Sequence, residues 1–430
     1  MSPSRRLVLF DPGLASGVGH HSDVNGLLLP PLLKRGWNLE LWADAAAALD
    51  PKLATSLPGL RPLLSDGGYI DPRHWCDLPG SLHQARLLHQ QLAGAASGEP
   101  IAVWLAHSLL PFQLIALAQL LQRQAPAKVV ISLMFAPGEV FAGQPELDLG
   151  AQRLAAQLNT RSALAALAVA VARGNHQLLL CAGSHQLIAL YTPLCQAAGL
   201  APPQLHPSLV SGDGESFDGA SFDGASFAAA AAPPQVLLHW GDRKPDKGRE
   251  LAICLLEHLL SDPALPPALA KAQWCFHASS HQPPTARESE LLLRASHDRR
   301  MRVLEGPVPR PQMLQELARS EVALLPYCPL AYAERSSGVL WLYGSARLAR
   351  QRPARVVGHP AGWLAAEAQA LEMTWQPLPP NPSAEQVLDR LAQALQAPAP
   401  AAPPGSYGQQ VLGNSFASWL VQRLDADNLS

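Results

Sequence analysis

Short apolar runs alternate with amphipathic stretches along most of the chain. Residues 6–10 (RLVLF) read as a buried strand, and a Gly-rich loop follows at 11–21. Over 22–35, Val24, Leu27, Leu28, Leu32 and Leu33 recur at helical spacing; Gly36 then marks a turn, and 37–43 (WNLELWA) alternates as a strand does. This is a βαβ unit. The same rhythm predicts strands at 101–106, 127–134 and 176–182, with helices at 111–124, 151–173 and 184–199. It restarts at 235–240 and predicts further strands at 272–278, 301–305, 321–326 and 353–358. The helices between and after them fall at 247–260, 284–296, 309–319, 337–349 and 383–397, and a last one at 407–424. Strands that are apolar throughout, each followed by a helix, imply parallel sheets covered on both faces. The predicted fold is α/β, with two doubly wound, Rossmann-like domains.

The break between the halves is compositional. Residues 216–230 read SFDGA-SFDGA-SFAAA, and Pro233-Pro234 follow. So short a repeat cannot build a solenoid and reads as a linker or loop insertion. The expected boundaries are 1–210 for the first domain, 211–234 for the linker and 235–400 for the second domain. Residues 401–430 form a tail whose helix packs back on the first domain.

Composition narrows the function classes. The chain has 430 residues, 48% hydrophobic and 15% charged, which suits two globular domains. Its net charge of −2 and lack of a basic stripe argue against a nucleic-acid partner. The Cys residues at 76, 181, 195, 254, 275 and 328 form no CxxC pair and no Cys/His zinc spacing. They suit buried thiols in a reducing compartment. After Arg5-Arg6 only four apolar residues precede Asp11, too few for a signal-peptide core. No apolar stretch is read as long enough to span a bilayer. The expected location is cytoplasmic, with no transmembrane segment and with peripheral membrane contact left open.

In open parallel sheets, chemistry sits beyond the carboxyl ends of the strands. Five loops fall there: 11–21, 107–111, 241–248, 278–283 and 327–338. In 241–248, Arg243, Lys244 and Lys247 precede a helix, where unpaired N–H groups and cations together suit an anion. The same residues would also suit a solvated turn. Gly13, Gly17 and Gly19 do not match GxGxxG, so a dinucleotide site is not indicated. His20 and His21 follow that loop and could hydrogen-bond a sugar or a phosphate. His107 ends a predicted strand and precedes Ser108. Arg335, Ser336, Ser337 and Gly338 lie at or before a helix start, where one Ser is explained by capping alone. The sequence contains no GxSxG, HExxH or GxxxxGK[ST]. Asp425-Ala-Asp427 lies in a polar tail and is given no metal role.

In order and spacing, these segments resemble the GT-B glycosyltransferases, in particular the large retaining family four. The resemblance runs through KRGWNLELWA, HSLLP at 107–111, HPS at 206–208, HWGDRKPDKG and LLPYCPLAYAERSSGVL, and covers most of the chain. It would set the two domains facing each other across a cleft, and it implies transfer of a sugar from a nucleotide-sugar donor to a glycan, lipid or small-molecule acceptor. Configuration would be retained and no metal or other cofactor used. The resemblance assigns Arg243, Lys247, Gly17 and Gly19 to the donor diphosphate, and Glu334, Ser337 and Gly338 to the donor. His20, His107 and Arg335 are the candidate catalytic residues. The chain departs from the family where two Glu residues are usual: aligning Gly338 puts Arg335 and Tyr343 there, with Glu334 one residue away. That departure raises a second reading, a catalytically inactive sugar- or nucleotide-binding or scaffold protein. A sugar-nucleotide 2-epimerase of the same architecture is disfavoured, because the acidic residues such enzymes use are not found.

Overall fold

A computed structural model describes residues 5–65, 68, 77–139, 149–211, 233–242, 244–261, 263–279, 284–398 and 405–426. The chain divides into two compact units, Met1–Val210 with Phe416–Ser430, and Ser211–Ser415. Each is a parallel sheet flanked by helices, so the two doubly wound α/β domains expected from the hydrophobic rhythm are present.

The first unit is built on β1 (Arg6–Asp11), β2 (Asn38–Asp44), β3 (Leu60–Leu64), β4 (Val103–His107), β5 (Lys128–Ser132), β6 (Gln177–Ala182) and β7 (Gln204–Leu205). Their order across the sheet is β3-β2-β1-β4-β5-β6-β7, all parallel. Every residue of β1 is buried, which is why it reads as a continuous apolar run ending in one Asp. Among its helices are α1 (His20–Lys34), α2 (Pro51–Ser56), α3 (Leu78–Ala95), α4 (Pro111–Leu121), α5 (Leu149–Gly174) and α6 (His185–Ala197). Helix α4 packs against both α3 and α5, so it is apolar on almost every side.

Helix α5 corrects one expectation. Over Gly150–Gly174 it is long and apolar enough to cross a membrane by length and composition. Its Ala163, Leu164, Leu167 and Ala170 are nevertheless fully buried in the core of the unit. Apolar residues on the other faces, such as Leu154 and Leu158, add the hydropathy that a core helix does not require.

The second unit holds β8 (Gln235–His239), β9 (Gln273–Ala278), β10 (Met301–Glu305), β11 (Ser320–Leu325), β12 (Arg355–Gly358) and β13 (Thr374–Pro377), in the order β10-β9-β8-β11-β12-β13. Its longer helices are α7 (Arg249–Leu260), α8 (Ala286–His297), α9 (Arg310–Arg319), α10 (Gly338–Ala349), α11 (Trp363–Ala370) and α12 (Ala384–Gln396). Trp341 and Trp363 meet edge to face at 5.2 Å in its interior.

The single helix expected at 407–424 is two. Helix α13 (Ser406–Leu412) packs on α10 in the second unit, and α14 (Phe416–Ala426) packs on α1 in the first. Gly413 caps the first of them, and the chain changes unit there. In the first unit Phe416 lies 4.6 Å from the His206 ring, and Arg35 pairs with Asp425. The hydrophobic rhythm also passes over β3, β7, β13, α2, α3 and α11. β3 and β13 are edge strands, each carrying a Pro, so they lack the long apolar run of a central strand.

In each sheet the strand order reverses once next to the first strand of the unit, between β1 and β4 and between β8 and β11. Crevices form at such switch points, outside the carboxyl ends of the two strands. The candidate residues lie at these two places.

Candidate functional site

At the β1/β4 switch point a buried carboxylate organises the surroundings. Asp11 ends β1 with no solvent exposure. Its Oδ1 accepts from His21 Nδ1 at 2.7 Å and its Oδ2 from Asn25 Nδ2 at 2.6 Å. His21 and Asn25 are four residues apart on α1, so one face of the helix supplies both partners. Burial alone would raise the Asp11 pKa, but the charge and hydrogen bond of His21, the nearby His107 and the Asn25 amide outweigh it. The carboxyl is held well below its usual range. Gly13 makes room for this arrangement, since a Cβ there would lie 2.3 Å from His21 Cε1.

His107 arrives from the end of β4, fully buried. Its Nε2 lies 2.9 Å from Asn25 Oδ1 and its Nδ1 lies 3.0 Å from Ser108 Oγ. Ser108, at φ 57°, also touches His20 Nε2 at 3.0 Å and Met134 Sδ at 3.0 Å. Burial lowers His107 to a pKa of about 4 despite the Asp11 charge. Burial, with His21 and His107 nearby, lowers His20 well below the ordinary imidazole range. His20, His21 and His107 each bring a ligand atom within 4.8 Å of the others, a spacing that would admit a metal ion. Both nitrogens of His107 are already engaged by Asn25 and Ser108, however, so the hydrogen bonding describes a polar relay rather than a ligand set.

The glycines of this loop differ. Gly17 N–H donates to Asp50 Oδ2 at 2.8 Å, so that amide is already engaged by a carboxylate. Gly19, at φ 108°, precedes α1, and a side chain there would meet nothing within 4 Å. The first turn of α1 therefore opens beside His20 without a side-chain cap.

The second switch point gathers cations. After β8 the chain turns at Gly241 and enters a short 3-10 turn, Pro245–Lys247, before α7. Gly248, at φ 74°, approaches β11's exit so closely that a Cβ would lie 2.4 Å from Pro326 O. Only glycine satisfies both conditions without displacing backbone. Lys247 is half-buried, with Nζ 5.9 Å from the Tyr327 ring centroid, and makes no ion pair among the described residues. Burial and the cations Lys244 and Arg335 lower its pKa, against the opposing pull of Asp242 and Asp246. Arg335 Nη1 bonds Asp246 Oδ2 at 2.9 Å and its guanidinium lies over Tyr332. His277 Nδ1 accepts from Gly241 N–H at 3.2 Å, and its Nε2 donates to Gly306 O at 2.8 Å, which holds the loop.

Other sequence candidates are placed as follows. Arg243 lies outside the described residues, as do 280–283 of the 278–283 loop and the repeat at 216–230. Ser337 caps α10, accepting from Leu340 N–H at 3.3 Å, and Gly338 begins that helix. Glu334 is half-buried in the preceding turn. Tyr343, aligned with the family's second Glu, is fully buried and donates to Ser320 O at 3.2 Å; it belongs to the core. The sequence reading did not single out Asp11, Asn25, Ser108, Asp246 or His277. An Asp closing an otherwise apolar strand, and an Asn four residues after a His, were the available signals for the first two.

Two parallel-sheet units with a switch-point cluster in each define the GT-B class of fold. Solved structures of GT-B glycosyltransferases share it over essentially the whole chain. The alpha,alpha-trehalose 6-phosphate synthase of Burkholderia multivorans superposes with a TM-score of 0.57 at 14% identity, covering 100% of each chain. A trehalose-6-phosphate protein of E. coli bound with UDP-2-fluoro glucose gives 0.54 at 13%, covering 98% of each. Anabaena HepE in complex with UDP gives 0.54 at 15%, covering 99% of each. At these identities the likeness establishes the fold. No protein-family model and no curated protein matches the chain.

Proposed function

We propose that the chain is a glycosyltransferase that moves a sugar from a nucleotide-sugar donor to a hydroxyl of a glycan or small-molecule acceptor. The observation that carries this is Lys247. A half-buried ammonium that makes no ion pair among the described residues, with its pKa lowered by burial and neighbouring cations despite Asp242 and Asp246, is an arrangement that an anion would complete. A diphosphate suits it, because Lys supplies a point charge and the start of α7 adds N–H groups of the same sign. Arg243, four residues earlier, is assigned to the same diphosphate. Arg335 pairs with Asp246 and so offsets part of the negative charge beside Lys247. Charge developing on the leaving diphosphate would be stabilised by these fixed groups, so neither a metal nor another cofactor is assigned a role. Retention of configuration is carried by the family resemblance alone. Ser337, Gly338 and Glu334 are assigned to the donor sugar, and Gly19, His20 and His107 to the acceptor side.

UDP, GDP and ADP, added singly to the full chain without metal, test this by calorimetry. One nucleotide should bind, and Lys247→Ala should weaken it by about tenfold or more, the loss of one charge-assisted contact. Absence of binding by all three would favour the inactive scaffold reading, which the burial of Tyr343 keeps in view: that position presents no group to a ribose.

A further inference from the structure

The hydrogen bonds at the β1/β4 switch point fix the position of every proton along a chain of five groups. Asp11 is ionised, and a carboxylate only accepts. Asn25 must therefore turn its NH2 toward Asp11 and its carbonyl toward His107. His107 Nε2 is then the donor, and in the neutral ring Nδ1 is the acceptor. Ser108 carries one hydroxyl proton and gives it to His107 Nδ1, since the Met134 sulfur is too weak an acceptor to compete. The Ser108 oxygen in turn accepts from His20 Nε2. A neutral His20 is left with its lone pair on Nδ1, which makes no hydrogen bond among the described residues. His20 is half-exposed, beside the open approach at Gly19.

We propose that Ser108 is a positioning residue which locks His20 in the Nε2–H tautomer, so that His20 Nδ1 recognises a hydroxyl group and rejects a phosphate. An ionised phosphate oxygen and the Nδ1 lone pair are both acceptors and repel, whereas a sugar hydroxyl donates. Taking this hydroxyl to be the acceptor's rests on the glycosyltransferase reading above; the tautomer does not.

Long-range proton–nitrogen NMR of the full chain with 15N-labelled histidine tests the proposal near neutral pH. His20 should show a protonated Nε2 and a bare Nδ1. Its Nδ1 signal should move on titration with excess glucose and stay still with inorganic phosphate. In Ser108→Ala the tautomer should become mixed and glucose affinity fall by about tenfold, as expected for a lost positioned hydrogen bond. Ser108→Cys, which keeps a weak donor, should fall between the two. A protonated Nδ1 in the native chain, an unmoved His20 in glucose, or a tautomer indifferent to Ser108→Ala would overturn the proposal. If Ser108→Ala does not fold, the native tautomer and the Ser108→Cys titration decide. Nucleotide binding at Lys247 is read separately. A chain that binds no nucleotide but shows the glucose response keeps this proposal and loses the transferase reading.

Discussion

The two switch points have the same topology and opposite electrostatics. At β1/β4 a fully buried carboxylate is met on both oxygens by α1, and each neighbouring ring is tied to the next. At β8/β11 the ammonium of Lys247 is half-buried beside two other cations and is left without an ion pair among the described residues. The first cluster ties its buried groups to one another, so it contributes stability and holds its side chains in fixed orientations, with only His20 Nδ1 left without a hydrogen bond along the relay among the described residues. In the second, the folded state disfavours the charged form of Lys247, which subtracts stability; the proposed anion would relieve that penalty. A switch-point crevice can serve as a rigid template or as an unsatisfied receptor, and the charge balance of its side chains distinguishes them.

The largest expected effect of breaking this contrast comes from Asp11→Ala. It leaves His21, Asn25 and His107 buried without their anchor and should cost about 3–5 kcal/mol, as removal of one partner of a buried pair does. Hydrogen exchange of the β1 and β4 amides in the full chain reports this unit alone; a loss near zero would mean that the network contributes only packing.

Acid should come next. His107 is held neutral, with a pKa lowered from 6.5 to about 4. The unfolded chain then binds the proton first, so stability is complete above pH 6.5 and falls as pH drops toward 4, by roughly 3 kcal/mol from this group. His107→Gln should flatten that part of the pH curve. Asp11, depressed from its ordinary 3.8, acts lower still: its contribution is present above pH 3.8 and is lost as pH falls further.

Lys247 should follow the same sign in a higher pH window. Its lowered pKa means that the folded state disfavours the charged form, so its penalty is present near neutrality and disappears as pH rises toward 10.5. Lys247→Ala should therefore leave unfolding midpoints unchanged or slightly raised while turnover with a verified donor falls by about tenfold, roughly 1.4 kcal/mol. A variant that loses stability and keeps its rate would make this lysine structural.

Tyr343→Phe should be the mildest. It removes the hydroxyl that donates to Ser320 O and accepts a long bond from Arg355 N–H, and should cost about 1 kcal/mol. Nucleotide affinity should not change, because the hydroxyl lies in the core.

The resemblance drawn from short motifs names loops, and the structure adds partners within them that the motifs do not record. Arg335, a catalytic candidate from the resemblance, pairs with Asp246. Gly17 was read as approaching a phosphate, yet its N–H meets Asp50, thirty-three residues away along the chain. In both cases the partner comes from another segment, and local spacing carries no record of it.

The sequence by itself determined the alternation of buried strands and amphipathic helices, and hence two parallel sheets, because period and apolar content are local properties of the chain. It also determined that cations follow β8 and that imidazoles follow β1 and β4. Only the tertiary structure decided the strand order, and with it which loop ends share a crevice. It was this order that joined Asp11, Asn25, His107, Ser108 and His20 into one relay and left Lys247 with no ion pair among the described residues. Those outcomes depend on distances between residues far apart in sequence and on the removal of water from between them, and both are set by packing rather than by neighbours along the chain.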